Sequence, residues 1–299
     1  MEFNIYLISA ELLILFFFGI CFKHAIKTNL ANVFQLVTGS IFGVLLELAT
    51  IYQLNAYHYG KFLIMIGNVP LIIGMAWGVI IYVVRLNSQK IDLPIFIRPV
   101  LDAFYALSID LVMDAIAIRV GFWDWGHGLK YQYFGVPYNN FWAWFWVVYT
   151  YSSGIQLFTI WFSKNTRATS SIQNNFIISL GSLFTGLLGV LTTNAFIVFV
   201  IPDSMKPIVI SITLTIAFIY LIYHRPQLSH LNIDSIGFWI PLGFHAYYIG
   251  VGIISGVLFN PTILLWISIV ILLISLYVHR NYFLKMTVRK GYPISDSDK

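Results

Sequence analysis

Nine apolar stretches, each close to 20 residues long, run along this chain of 299 residues, and they constrain its fold more than any other feature. A hydrocarbon core about 30 Å thick needs roughly 20 apolar residues per helix. The stretches fall near 3–22, 31–53, 62–84, 95–118, 140–162, 173–200, 207–223, 236–258 and 261–278. No alternation over ten-residue segments points to a barrel. The expected fold class is therefore all-α, a polytopic transmembrane helical bundle of 8 to 9 spans. Hydrophobic residues at 59% against 10% charged exceed what one soluble core could hide, which agrees.

The charged residues set an expected topology. With the N-terminus outside, 13 of the 17 basic residues fall on inside loops and in the tail, leaving Lys61, Arg119, Lys130 and Lys206 outside. That asymmetry favours an N-terminus outside and a C-terminus inside. The net charge of +5 then reflects topology and anionic lipid, not nucleic acid, since no basic patch is interleaved with aromatics. The first apolar run lacks a basic leader and a small-residue cleavage site, so it reads as a retained helix. A single cysteine, Cys21, excludes an internal disulfide and a thiolate metal cluster, and no histidine pair has metal-ligand spacing, so no metal site is expected. Short connections and the absence of a linker or repeat give one domain over 1–299, with a polar tail at 281–299. A multi-pass protein of the cell membrane follows; protein partners are not legible.

Polar residues inside the spans carry the functional argument. Threaded through that topology, Glu47, Asp110, Asp114, Asn194 and His245 fall at middle or outer depth, beneath connections bearing Tyr57, His58, Tyr59, Trp123, Trp125 and Asn140. An ionised aspartate at mid-span costs about 2.5–3.5 kcal/mol on insertion scales, so several together need a reason. Asp110 and Asp114 stand at i and i+4 on one helical face. Two such carboxyls are expected to share a proton, or a cation such as Arg119.

A neutral carboxylic acid in a dry pocket can protonate an unactivated alkene, and aromatic faces tolerate the carbocation that results. Glu47, Asp110 and Asp114 supply the acids, with Glu47 as partner acid or base. Tyr57, Tyr59, Trp77, Trp123, Trp125, Trp142 and Trp144 supply the rings, and His58 or His245 could position water. The bland readings are an ion pair for the acids, an interfacial belt for the rings, and hydrogen-bonded structural roles for the histidines.

In order along the chain, "ELATIYQLNAYHYG" (47–60), Val69 and Pro70 with Trp77, "DLVMDAIA" (110–117), "GFWDWG" (121–126), "YFGVP" (133–137) and "NNFWAW" (139–144) resemble the integral-membrane carotenoid-biosynthesis family of bisanhydrobacterioruberin and gamma-carotene hydratases. The resemblance is strongest over 40–145. It implies functional positions at Glu47, Tyr57, Tyr59, Asp114, Trp123, Trp125, Pro137, Asn140 and Trp144. It departs at Ala115, where the family pattern has proline, and at Ala143, where it has glycine.

The resemblance implies a cofactor-independent hydro-lyase that adds water across a terminal double bond of a lipophilic isoprenoid or carotenoid. A cyclase or isomerase would share the opening protonation. A membrane prenyltransferase would need two aspartate-rich Mg²⁺ motifs, of which "DLVMD" is a poor version of one. A proton-coupled transporter would use the same acids as a relay, but the inverted repeats common in that class are not evident.

Overall fold

The computed structural model describes residues 4–54, 57–165, 172–226 and 234–278. Among the described residues each expected span is a helix: α1 (Ile5–Thr28), α2 (Leu30–Leu54), α3 (Leu71–Ser88), α4 (Arg98–Ala117), α5 (Tyr138–Asn165), α6 (Ile172–Ala195), α7 (Lys206–Tyr223), α8 (Ser235–Ile254) and α9 (Ile263–Val278). The protein is an all-α polytopic bundle. Six of these helices, α1, α2, α3, α6, α7 and α8, are long and apolar enough to cross a membrane. The other three fall short for visible reasons: α9 has 16 residues, α4 carries Arg98 and three aspartates, and α5 carries several amides and hydroxyls. The expected tail at 281–299 lies outside the described residues.

Sequence and structure part at the third span. Residues 62–70 are apolar but not helical. Met65–Ile66 (β2) pairs antiparallel with Val69–Pro70 (β3) across a tight turn at Gly67, whose φ of +59° suits glycine. Helix α3 starts only after Pro70, which lacks the N–H a helix interior needs and whose extended backbone ends the strand. The sixth span also changes character, ending in a π-helical turn at Phe196–Val200.

Close packing of α2 on α3 fixes the end of the bundle that matters. Gly39 and Gly43 on α2, and Gly74 and Gly78 on α3, form two small-xxx-small faces. A Cβ added at Gly78 would lie 2.8 Å from the Leu36 carbonyl, and one at Gly74 would lie 2.7 Å from the Ser40 carbonyl. In lipid, helices associate by van der Waals contact between such faces, because burial gives no hydrophobic gain there. Helix α3 is consequently buried on every side from Ala76 to Ser88, whereas α7 buries only Ile210 and Leu221 and turns the rest of its apolar surface outward. The C-terminal ends of α2 and α4 and the N-terminal ends of α3 and α5 meet at one end, under the connections 57–70 and 118–137.

Candidate functional site

The two connections are joined by a short antiparallel ladder in which His58 faces Asp124 and Tyr59 faces Trp123 (β1, His58–Tyr59; β4, Trp123–Asp124). The Gly60 N–H extends it with a 2.8 Å bond to the Phe122 carbonyl. The chain can turn into β4 because Gly121 adopts φ +82° after the 3-10 turn that ends α4. Side chains alternate across an extended strand. Tyr57 and Tyr59 therefore share one face with Trp123 and Trp125, and Tyr57 packs edge-on against Trp125 with ring centroids 4.5 Å apart. His58 and Asp124 take the opposite, exposed face.

Below this aromatic ladder lies Glu47, one turn after Gly43 and buried. Its carboxylate accepts hydrogen bonds from the Tyr57 hydroxyl, from the Tyr59 hydroxyl at 2.8 Å and from the Trp77 indole N–H at 2.8 Å. Trp77 reaches it because α3 packs so closely on α2: a Cβ at Gly43 would lie 2.5 Å from that of Trp77. Burial, and then the neighbouring negative charge of Glu47, push both phenols well above the ordinary tyrosine value, so they remain donors.

Asp110 and Asp114 are both buried on α4, at 0% and 2% exposure. The cation proposed from the sequence does not join them. Arg119 spends its guanidinium on the carbonyls of Ala115, Phe134 and Leu129, which pins the 129–134 loop to the end of α4. The pair is bridged instead by the Asn140 amide, 2.6 Å from Asp114 Oδ2 and 3.1 and 3.2 Å from the two Asp110 oxygens.

Glu47, Asp114 and Asn140 line a single cavity of about 550 Å³ whose walls are Tyr57, Tyr59, Trp77, Trp123, Trp125 and Trp144. Trp77 and Trp144 lie against each other with centroids 4.3 Å apart. The cavity adjoins a groove of about 1360 Å³ that shares six of its residues and adds Asn139, Asn194, Gln132 and Lys206. The space thus has an apolar, ring-lined part and a polar mouth.

Nine of the residues singled out from the sequence line the cavity. Asp110 sits behind Asp114 and lines neither space. Asn194 lines the groove. His58 is exposed on the far face of its strand, and His245, buried on α8, lines neither space. Trp142 also points elsewhere, donating to the Thr193 carbonyl and packing on Ile197 and Ile210. Sequence reasoning missed Ile14 of α1 and Phe244 and Tyr248 of α8, which close the cavity from the side. The i, i+4 spacing of Phe244 and Tyr248 was the available signal. It also missed Glu11, a buried α1 carboxylate that accepts the Leu63 N–H at 2.7 Å and holds the 61–64 segment in place. Among the described residues no three His, Cys, Asp or Glu side chains gather as a metal site would require.

No curated protein and no solved structure matches the chain. The family model described as carotenoid biosynthesis protein matches residues 3–222, extending the resemblance well beyond 40–145 on both sides. With most of its length covered by that match, the chain belongs to the carotenoid biosynthesis protein family.

Proposed function

We propose that this chain is a cofactor-independent membrane hydratase that protonates a terminal double bond of a polyene and adds water to the resulting cation. Membership in a carotenoid biosynthesis family gives it a membrane-bound, carotenoid-modifying role. The observation that carries the finer reading is the pairing, in one aromatic-walled cavity, of an aspartate held in a carboxyl pair with a glutamate that accepts three hydrogen bonds.

The two carboxyl environments differ in kind. Asp110 and Asp114 share the donors of one amide, an arrangement suited to a pair that holds one proton between them. Glu47 accepts bonds from three donors, an arrangement suited to the ionised form. Asp114, the member of the pair that faces the cavity, delivers a proton to the less substituted alkene carbon. The cation left on the neighbouring carbon lies among indole and phenol rings and near the Glu47 charge. Water entering by the polar groove bonds to that carbon, and its surplus proton passes to a carboxylate, which completes addition of H and OH. A carboxylate offers about four acceptor positions, so three donors leave Glu47 one for water. In the orientation favoured by the loop charges, the site lies toward the outer leaflet and the polyene enters from lipid.

Cyclisation begins with the same protonation; the polar mouth beside the cavity favours water as the trap. The deciding experiment is a mass-spectrometric pigment profile of carotenoid-producing bacteria with and without the chain, supplied with acyclic and monocyclic polyenes. A product heavier by one water supports the hydratase. Unchanged mass with altered retention replaces it by a cyclase or isomerase. No change, with the protein present in the membrane, defeats the reading and makes proton-coupled transport the next test.

A further inference from the structure

A second built pocket lies at the other end of the bundle. It is an open pocket of about 1110 Å³ among the start of α2, the end of α3, the start of α4, the second half of α5 and the start of α6. Arg98 precedes Asp114 on α4 by 16 residues, or about 24 Å of helix, so this space is remote from the carboxyl cavity. Two arginines, Arg85 and Arg98, line it together with the amides of Asn32, Gln35, Gln156 and Asn175, and no carboxylate does.

Several of these groups are buried without partners. Gln156 is 7% exposed, and neither end of its side-chain amide makes a hydrogen bond among the described residues. Arg85 is 4% exposed, and its Nε, like that of Arg98, is buried and unbonded. Arg85 is paired with Asp102 at 3.9 Å and donates to the Ser152 carbonyl at 3.3 Å, which offsets its charge but leaves Nε unbonded. Arg98 donates to the Ile91 carbonyl at 3.4 Å and forms no ion pair within 4 Å among the described residues, although the Asp102 charge, one turn along α4, reaches it at longer range. Buried polar groups are costly when unsatisfied, and a cavity rich in guanidinium and amide donors calls for a ligand rich in acceptor oxygens.

We propose that this pocket binds the phosphate group of an anionic ligand. Guanidinium N–H groups match phosphate oxygens in pairs, and the amides supply the remaining donors. Ile95 lines the pocket, and Leu30 and Phe96 are chain neighbours of lining residues; all three are exposed, which provides apolar surface for acyl chains beside the charged interior. A phospholipid headgroup satisfies both features, and free phosphate satisfies the interior alone.

The test uses the full chain in a non-ionic detergent, with native mass spectrometry and thermal unfolding in the presence of phosphatidylglycerol or inorganic phosphate. Arg98→Gln removes one charge at a half-buried position. Gln156→Leu removes the unpaired amide at similar volume and guards against a folding defect in the first variant. The expected result is a salt-sensitive phosphatidylglycerol adduct whose affinity drops about tenfold or more in both variants. Stabilisation by inorganic phosphate, lost in both variants, would identify the free ion as the source. Equal phosphatidylglycerol binding in wild type and variants, with no phosphate effect, overturns the site.

Discussion

The Asn140 side-chain amide stands 2.6 Å from Asp114 and 3.1 Å from Asp110, so one donor serves two buried carboxyls a helical turn apart. Only Asp114 faces the cavity. The two aspartates should therefore fail unequally. Asp114→Asn removes the proton donor and should lower product formation by about 10²–10⁴, the range for loss of a positioned general acid. Asp110→Asn should leave measurable activity, because it alters only the partner. Pigment turnover in isolated membranes, at equal protein content, checks this; equal losses would mean that the pair acts as one unit.

Glu47 depends on Tyr57, Tyr59 and Trp77. Removing one donor to a buried carboxylate costs about 1–3 kcal/mol, so Tyr59→Phe should lower thermal stability and impair turnover together. The phenols also predict an alkaline signature. Unfolded, they ionise near pH 10; folded, burial and Glu47 hold them well above that value. Their stabilisation is fully present below about pH 10 and is lost as pH climbs from there toward the folded values. Melting temperatures measured from neutral to alkaline pH should fall over that window. The Tyr57→Phe, Tyr59→Phe double variant should start lower and decline less steeply.

Strand alternation separates neighbours that look equivalent in "AYHYG" and "FWDWG". His58→Ala should change turnover by less than about twofold, since exposed side chains away from the chemistry have little effect. Trp123→Ala should cost about tenfold or more by opening the cavity wall. Comparing these variants in the pigment assay tests the ladder directly: an essential His58 would contradict it.

The same ladder explains what was legible in the sequence and what was not. Apolar length located every helix, because the bilayer imposes it, and the cost of burying acids singled out Glu47 and Asp114. The Tyr-His-Tyr and Trp-Asp-Trp alternation was visible too, but without the pairing of 58–59 with 123–124 nothing identified those residues as strand, so His58 was grouped with its neighbours. Arg119 looked like a partner for the aspartates by its distance along the chain. The 3-10 turn redirects it to loop carbonyls, and that depends on Gly121 and on the path of residues 129–134. Tyr248 and Phe244 enter through tertiary packing of α8: their i, i+4 spacing puts them on one helical face, but nothing local says that this face meets the cavity.

Packing of α2 on α3 supplies the last prediction. A side chain at Gly78 meets main-chain atoms of α2 at 2.8 Å from the Leu36 oxygen and 2.9 Å from the Ser40 nitrogen, so relief requires the helices to separate. Separation would also withdraw Trp77, one residue earlier, from Glu47. Gly78→Val should thus lower stability by about 1–3 kcal/mol or more, as overpacking does, and abolish turnover although residue 78 lines neither space. Gly19→Ala on α1, where an added Cβ has nothing within 4 Å, should be neutral or stabilise by up to about 1 kcal/mol through helix propensity. Detergent-solubilised melting curves and pigment turnover for both variants distinguish a specific α2–α3 contact from a general intolerance of larger residues in the spans. Equal melting temperatures would show that the two helices do not need this close approach.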